Sequence, residues 1–124
     1  MALNDPVVLL VQPEQTLYHA ALADAGFEVL PAEDGERAME ICADPQQRID
    51  LVICRVILDS LTGPELAQKV KGQRNVPILL VSKYPRDVIR SVRGFSFDLE
   101  VLEEPTNEEL VQRARKALRR GKRS

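Results

Sequence analysis

Apolar runs of strand length alternate along this chain with stretches that repeat at helical spacing. VVLLV (7–11) reads as a strand buried on both faces. Tyr18, Ala21, Leu22 and Ala25 then form the stripe of a helix, which Gly26 closes. FEVL (27–30) is a second strand, placed at a sheet edge by Pro31, whose nitrogen cannot donate to a ladder. A helix over 35–43 presents Ala38, Met39 and Cys42. LVIC (51–54) is the third strand, and Pro64 opens a helix with Leu66, Ala67 and Val70 inward. PILLV (77–81) is the fourth strand, followed after Pro85 by a short helix carrying Val88, Ile89 and Val92. LEVL (99–102) is the fifth. Thr106 and Glu109 have capping-box spacing, and Leu110, Ala114, Ala117 and Leu118 give the last helix one apolar stripe.

Five strands alternating with five helices predict an α/β domain, a parallel sheet covered on both faces. In such folds ligands bind beyond the carboxyl ends of the strands. The residues there are Gln12 and Pro13, Arg55, Ser82 and Lys83, and Glu103 and Glu104. Arg55 stands out, because a guanidinium ending a buried strand is costly without a partner.

A chain of 124 residues suits one domain with a real core. Its 44% hydrophobic and 29% charged content is that of an ordinary soluble globular protein. No apolar run nears the roughly 20 residues of a membrane span. MALNDPVVLLVQ has no basic stretch before its apolar run and carries Asp5, so it makes a poor signal peptide. Cys42 and Cys54 lack metal-ligand spacing and read as core residues in a reducing compartment, which makes a cytoplasmic location the expectation. The net charge of −2 hides an asymmetry, since seven of the 17 Lys and Arg fall after residue 112 and no acid does. That cluster reads as a final helix complementing its own dipole, with residues 121–124 a basic tail or the start of a linker. Nucleic-acid binding through 113–123 is the minor alternative.

AGFEVLPAEDGERAME, DLVICRVILDSLTGPEL with its Gly63, VPILLVS and EVLEEPTNEEL occur in the order of segments in the receiver domain of bacterial two-component response regulators. The chain resembles that family over nearly its whole length. The resemblance implies a flavodoxin-like (βα)5 fold over 1–120 with strand order 2-1-3-4-5, and a proline after the fifth strand that is usually cis. It also implies a site. In the family an aspartate ending the third strand accepts a phosphoryl group from a histidine kinase, two acids after the first strand hold Mg²⁺, and a hydroxyl and a lysine after strands four and five bind the phosphoryl oxygens.

In those positions this chain has Gln12 and Pro13 for the acid pair, Arg55 for the acceptor, Ser82 for the hydroxyl and Glu104 for the lysine. Val101 replaces an aromatic switch residue. The segment from Val11 to Gly26 is about one helical turn shorter than the family's, so Glu14 is another candidate for the first corner. Mg²⁺ needs hard oxygen ligands, and a guanidinium neither accepts a phosphoryl group nor sits comfortably beside a divalent cation. The degenerate pocket is therefore expected to hold no metal and no cofactor and to run no catalysis. Arg55 and Glu104, the family's two signs exchanged, are expected to pair across it.

The reading that follows is a pseudo-receiver, a phosphorylation-independent signalling module acting by protein contact. Its surface would be the fourth helix, fifth strand and fifth helix, with Arg86, Arg90, Arg93, Asp98, Glu100, Val101, Glu108 and Arg115. The partner would be another protein, a neighbouring output domain or a second copy, with no membrane role. The alternative is a sensor of a small anion or nucleotide, with Arg55, Ser82 and Lys83 as the cradle. His19 is expected on the exposed side of its helix, Ser82 as a structural hydroxyl, and neither Asp50 nor Asp59 as a stand-in acceptor.

Overall fold

The computed structural model describes residues 5–13 and 18–121. Its sheet is built around the three strands whose sequences are apolar throughout: β1 (Val7–Val11), β3 (Leu51–Arg55) and β4 (Ile78–Ser82). Only Arg55 among their fifteen positions escapes burial. β2 (Glu28–Ala32) and β5 (Glu100–Glu103) form the edges, with more exposed sequences to match. All neighbours are parallel and the order is β2-β1-β3-β4-β5. This is the flavodoxin-like (βα)5 arrangement, and it follows from strands buried on both faces, which need helices above and below.

Alternation along the strands sorts the core into two layers. Leu9, Val11, Val52, Cys54 and Leu80 face α2 (Gly35–Ala43) and α3 (Gly63–Lys71). Val8, Leu10, Leu51, Ile53 and Val81 face α1 (His19–Asp24) and α5 (Asn107–Gly121). The helical stripes land where the spacing puts them: Ala38 and Cys42 on α2, Leu66, Ala67 and Val70 on α3, and Leu110, Ala114 and Ala117 on α5 are all buried. α4 (Arg86–Ile89) is one turn long; Ile89 is buried and Val88 is not.

The ends are fixed by side chains. Thr62 and Glu65 close a reciprocal capping box at α3, and Thr106 and Glu109 do the same at α5. Gly26, at φ 99°, takes the left-handed backbone that ends α1. β2 differs from the run 27–30, because Pro31 lies inside it, on the edge where its missing N–H is tolerated. The other strands shift by one residue or less at either end. α5 continues to Gly121, past the expected boundary at 120, and the remaining basic residues lie outside the described part. Among the described residues no helix is long and apolar enough to cross a membrane.

Candidate functional site

The strand order reverses at β1, so the carboxyl ends of β1 and β3 lie side by side at the point where crossovers diverge. Five expected residues collect at this end of the sheet. Gln12 is buried and donates its backbone N–H to the Ala32 carbonyl at 3.0 Å. Pro13 is exposed beside it, and Glu14 lies outside the described residues. Arg55, half-buried, is paired in register with Val81. Ser82 is buried and Glu104 exposed.

Two adjoining cavities of about 230 Å³ each share Arg55, Val81, Ser82 and Lys83. One is completed by Pro13, Ile57, Leu58, Asp59 and Tyr84. The other is completed by Tyr18, Glu104 and Pro105. The two cations, Arg55 and Lys83, thus stand between the compartments, with one acid in each.

The expected Arg55–Glu104 ion pair is not formed: the two line the same cavity, but no carboxylate of a described residue lies within 4.0 Å of the Arg55 guanidinium. The reason is local backbone. Glu104 takes a left-handed turn at φ 39°, its N–H donating to the Ser82 carbonyl at 2.8 Å, and its side chain stays in solvent. The following Pro105 is not cis, against the family pattern, since no described peptide bond is.

Tyr18 lines the same cavity as the two charges. It is buried, and its hydroxyl donates to the Pro105 carbonyl at 3.0 Å, tying the start of α1 to the β5–α5 turn. Burial pushes its phenol above the ordinary value, while the charge of Arg55 pulls it down and that of Glu104 pushes it up. Sequence reasoning placed Tyr18 on the helix stripe. It is instead the residue before α1, at φ 70°, a conformation an aromatic side chain rarely takes. No spacing rule signals that.

The Ser82 hydroxyl is held by its own turn. It accepts the Tyr84 N–H at 2.8 Å and donates to the Tyr84 carbonyl at 3.1 Å, so both its roles are filled by the turn after β4. Asp50 lies at the opposite end of β3, where it accepts the Val7 N–H and pairs with Arg48 at 3.0 Å. His19 is half-buried rather than exposed. Cys42 and Cys54 are free and buried, and desolvation raises both thiols.

The residues present do not fit Mg²⁺. Among the described residues no three His, Cys, Asp or Glu side chains come together as ligands, and the cavity at this end of the sheet carries the cations Arg55 and Lys83 against the single acid Asp59.

On the face of α4, β5 and α5 most expected contact charges have partners within the chain. Glu100 binds both Arg113 and Arg120, the latter at 2.9 Å, and neither arginine partnership was foreseen. Asp98 pairs with Lys71 at 3.7 Å and accepts the Ser96 hydroxyl, and its carboxyl is lowered chiefly by that hydroxyl. Arg93 pairs with Glu65 at 3.4 Å. The Arg115 guanidinium donates to the Ala25 carbonyl, away from this face. Arg86, Arg90, half-buried Val101 and exposed Glu108 remain there. Arg90 lies 5.8 Å from the ring centre of Phe97, which is 82% exposed and meets Phe95 edge-on at 5.2 Å.

A family model described as the response regulator receiver domain matches residues 9–102. An uncharacterized transcriptional regulatory protein of Bacillus subtilis is 35% identical over 78 residues, 60% of this chain and 32% of that protein. A two-component response regulator-like protein of Oryza sativa subsp. indica is 31% identical over 81 residues, 60% of this chain and 11% of that one. The chain therefore spans a third or less of these relatives. The crystal structure of a response regulator receiver protein from Sinorhizobium medicae superposes with a TM-score of 0.83 at 24% identity, covering 98% of this chain and all of that one.

Proposed function

Since this chain belongs to the response regulator receiver family, we propose that it is a two-component signalling module of the pseudo-receiver kind, working by protein contact without phosphorylation and without catalysis. One observation carries the reading. Arg55 ends β3, at the position that the resemblance matches to the acceptor carboxylate, and it shares its cavities with Lys83, with no set of metal-binding acids among the described residues. A phosphoryl group needs a carboxylate to attach to and a cation to shield the charge as it arrives. At the position that the resemblance matches to the acceptor this chain has Arg55 rather than a carboxylate, and the described residues hold no set of acids to keep a metal ion beside it.

The module's partner, on this reading, is an output domain or another protein meeting the face of α4, β5 and α5, or a second copy through that face. The Bacillus relative is described as a transcriptional regulator, and this chain covers only 32% of it, which leaves room there for an output segment. Incubation with acetyl phosphate and Mg²⁺, followed by intact mass measurement, tests the proposal. No phosphate should be gained, and Arg55→Asp alone should gain none either, because Gln12, Pro13 and Glu104 remain. A mass increase of one acid-labile phosphate on the unmodified chain sinks it.

A further inference from the structure

We propose that the groove between Pro13, Arg55, Ile57, Leu58 and Tyr84 binds a small monocarboxylate with an apolar body. This goes beyond the contact reading and does not depend on it.

Three observations meet there. The Arg55 guanidinium is half-buried and has no carboxylate partner within 4.0 Å among the described residues, so its planar fork is free for a ligand. A carboxylate matches that fork with two parallel hydrogen bonds. The walls beside it are apolar. Leu58 and Val81 form the floor, and Ile57 (47% exposed) and Tyr84 (49%) stand at the rim. These two are half of the four large apolar side chains exposed among the described residues, and both line this one cavity. Covering them removes apolar area from water, which a bare inorganic anion does not do.

Charge and size narrow the ligand class. Arg55 and Lys83 face a single acid, Asp59, in this compartment, which leaves one net positive charge for a monoanion. A dianionic phosphate asks for more donors than remain, because the Ser82 hydroxyl is already committed to Tyr84. A volume of about 230 Å³ is below the range of drug-sized sites and suits a body of ring or branched-chain size rather than a nucleotide.

Phenylacetate is the probe, with acetate, benzyl alcohol and inorganic phosphate as controls for the body, the charge and the anion type. Each is titrated into the ¹⁵N-labelled chain while amide shifts are followed. Phenylacetate should saturate with a Kd of about 1 mM, the order expected for a ligand of this size, moving the amides of residues 55–59 and 82–84. Acetate and benzyl alcohol should bind at least about tenfold more weakly, a factor each half of the recognition readily supplies. Arg55→Gln and Tyr84→Ala should each weaken phenylacetate by a similar factor, whereas Arg48→Ala, beside Asp50 at the opposite end of β3, should leave it unchanged. The spectra themselves report whether each variant is folded, and Arg55→Lys, which keeps the charge but not the fork, gives a second reading at the same position. No saturable shift with phenylacetate, shifts centred elsewhere, equal binding to Arg55→Gln, or phosphate binding as tightly as phenylacetate would each overturn the proposal. A phosphorylated chain would instead overturn the contact reading and leave this one standing.

Discussion

Tyr18→Phe removes one oxygen from the protein and nothing else. The ring remains in its buried place, and the strain of φ 70° is unchanged because both side chains pay it equally. What is lost is the hydroxyl bond to the Pro105 carbonyl at 3.0 Å, a contact buried within the protein. The carbonyl then keeps no side-chain donor. Leaving a buried acceptor unsatisfied costs about 1 to 3 kcal/mol, and the low end applies because Pro105 lies in a turn that can relax toward water. We expect a loss of about 1 to 2 kcal/mol. With a urea slope of roughly 1 to 2 kcal/mol per molar for a domain of this size, the unfolding midpoint should fall by about 1 M.

The same oxygen predicts a pH effect. Folding raises the phenol above its ordinary value of 10.0, so its contribution is fully present below pH 10 and is lost as pH rises toward the folded value. In that window only the unfolded wild type ionises at this position, and it gains about 1.4 kcal/mol per pH unit. The gap between wild type and Tyr18→Phe should therefore narrow as pH rises from 7 to 11. Both proteins share the alkaline loss from Cys42 and Cys54, which begins near the ordinary thiol value of 9.0, so the difference isolates the tyrosine. Urea unfolding of the two proteins at both pH values is the assay. A midpoint shift below about 0.2 M at pH 7, with a gap that does not narrow, would refute the reasoning.

Three further changes are expected to separate structural features from incidental ones. Gly63→Ala places a Cβ against the Arg55 carbonyl oxygen and the Val56 backbone, atoms that cannot give way, and should cost about 2 to 3 kcal/mol by urea unfolding. Glu100→Gln weakens two arginine contacts at a side chain only 24% exposed and should cost about 1 kcal/mol, against near zero for Glu40→Gln, whose partner Arg37 is as exposed as itself. In a double-mutant cycle, Arg55→Ala and Glu104→Ala should be additive to within about 0.5 kcal/mol, because no ion pair joins them; a larger coupling would put Glu104 on the guanidinium after all.

The sheet was legible because strands buried on both faces leave unbroken apolar runs, and only edges such as Pro31 blur them. The strand ends then put Gln12, Arg55, Ser82 and Glu104 at one end of that sheet, and they do gather there. Side-chain direction was not legible. The Arg55–Glu104 pairing assumed that facing positions bring facing charges, whereas a left-handed residue at the β5–α5 turn leaves Glu104 in solvent. Tyr18 escaped for a related reason, since its spacing fits a helix stripe and only the tertiary fold sets it outside the helix. The Thr62–Glu65 box has a spacing of three that a sequence can show, with Pro64 inside it in the first turn of the helix.

Every altered pocket residue lies at or after the last core position of its strand: Gln12 after Val11, Arg55 after Cys54, Glu104 after Leu102. Replacing such residues leaves both core layers intact, so changes at these positions cost the fold little stability. The contact face is different, because there charge and packing are shared. Glu100, with Arg113 and Arg120, joins β5 to α5, and Arg93 with Glu65 and Thr62 joins the segment after α4 to α3. Charges committed in this way cannot also greet a partner without breaking an internal bond. On the contact reading proposed above, the side chains left for recognition on this face are Phe97, Val88, Arg86 and Arg90, an apolar and cationic set that complements an acidic, hydrophobic surface better than a second copy carrying the same cations.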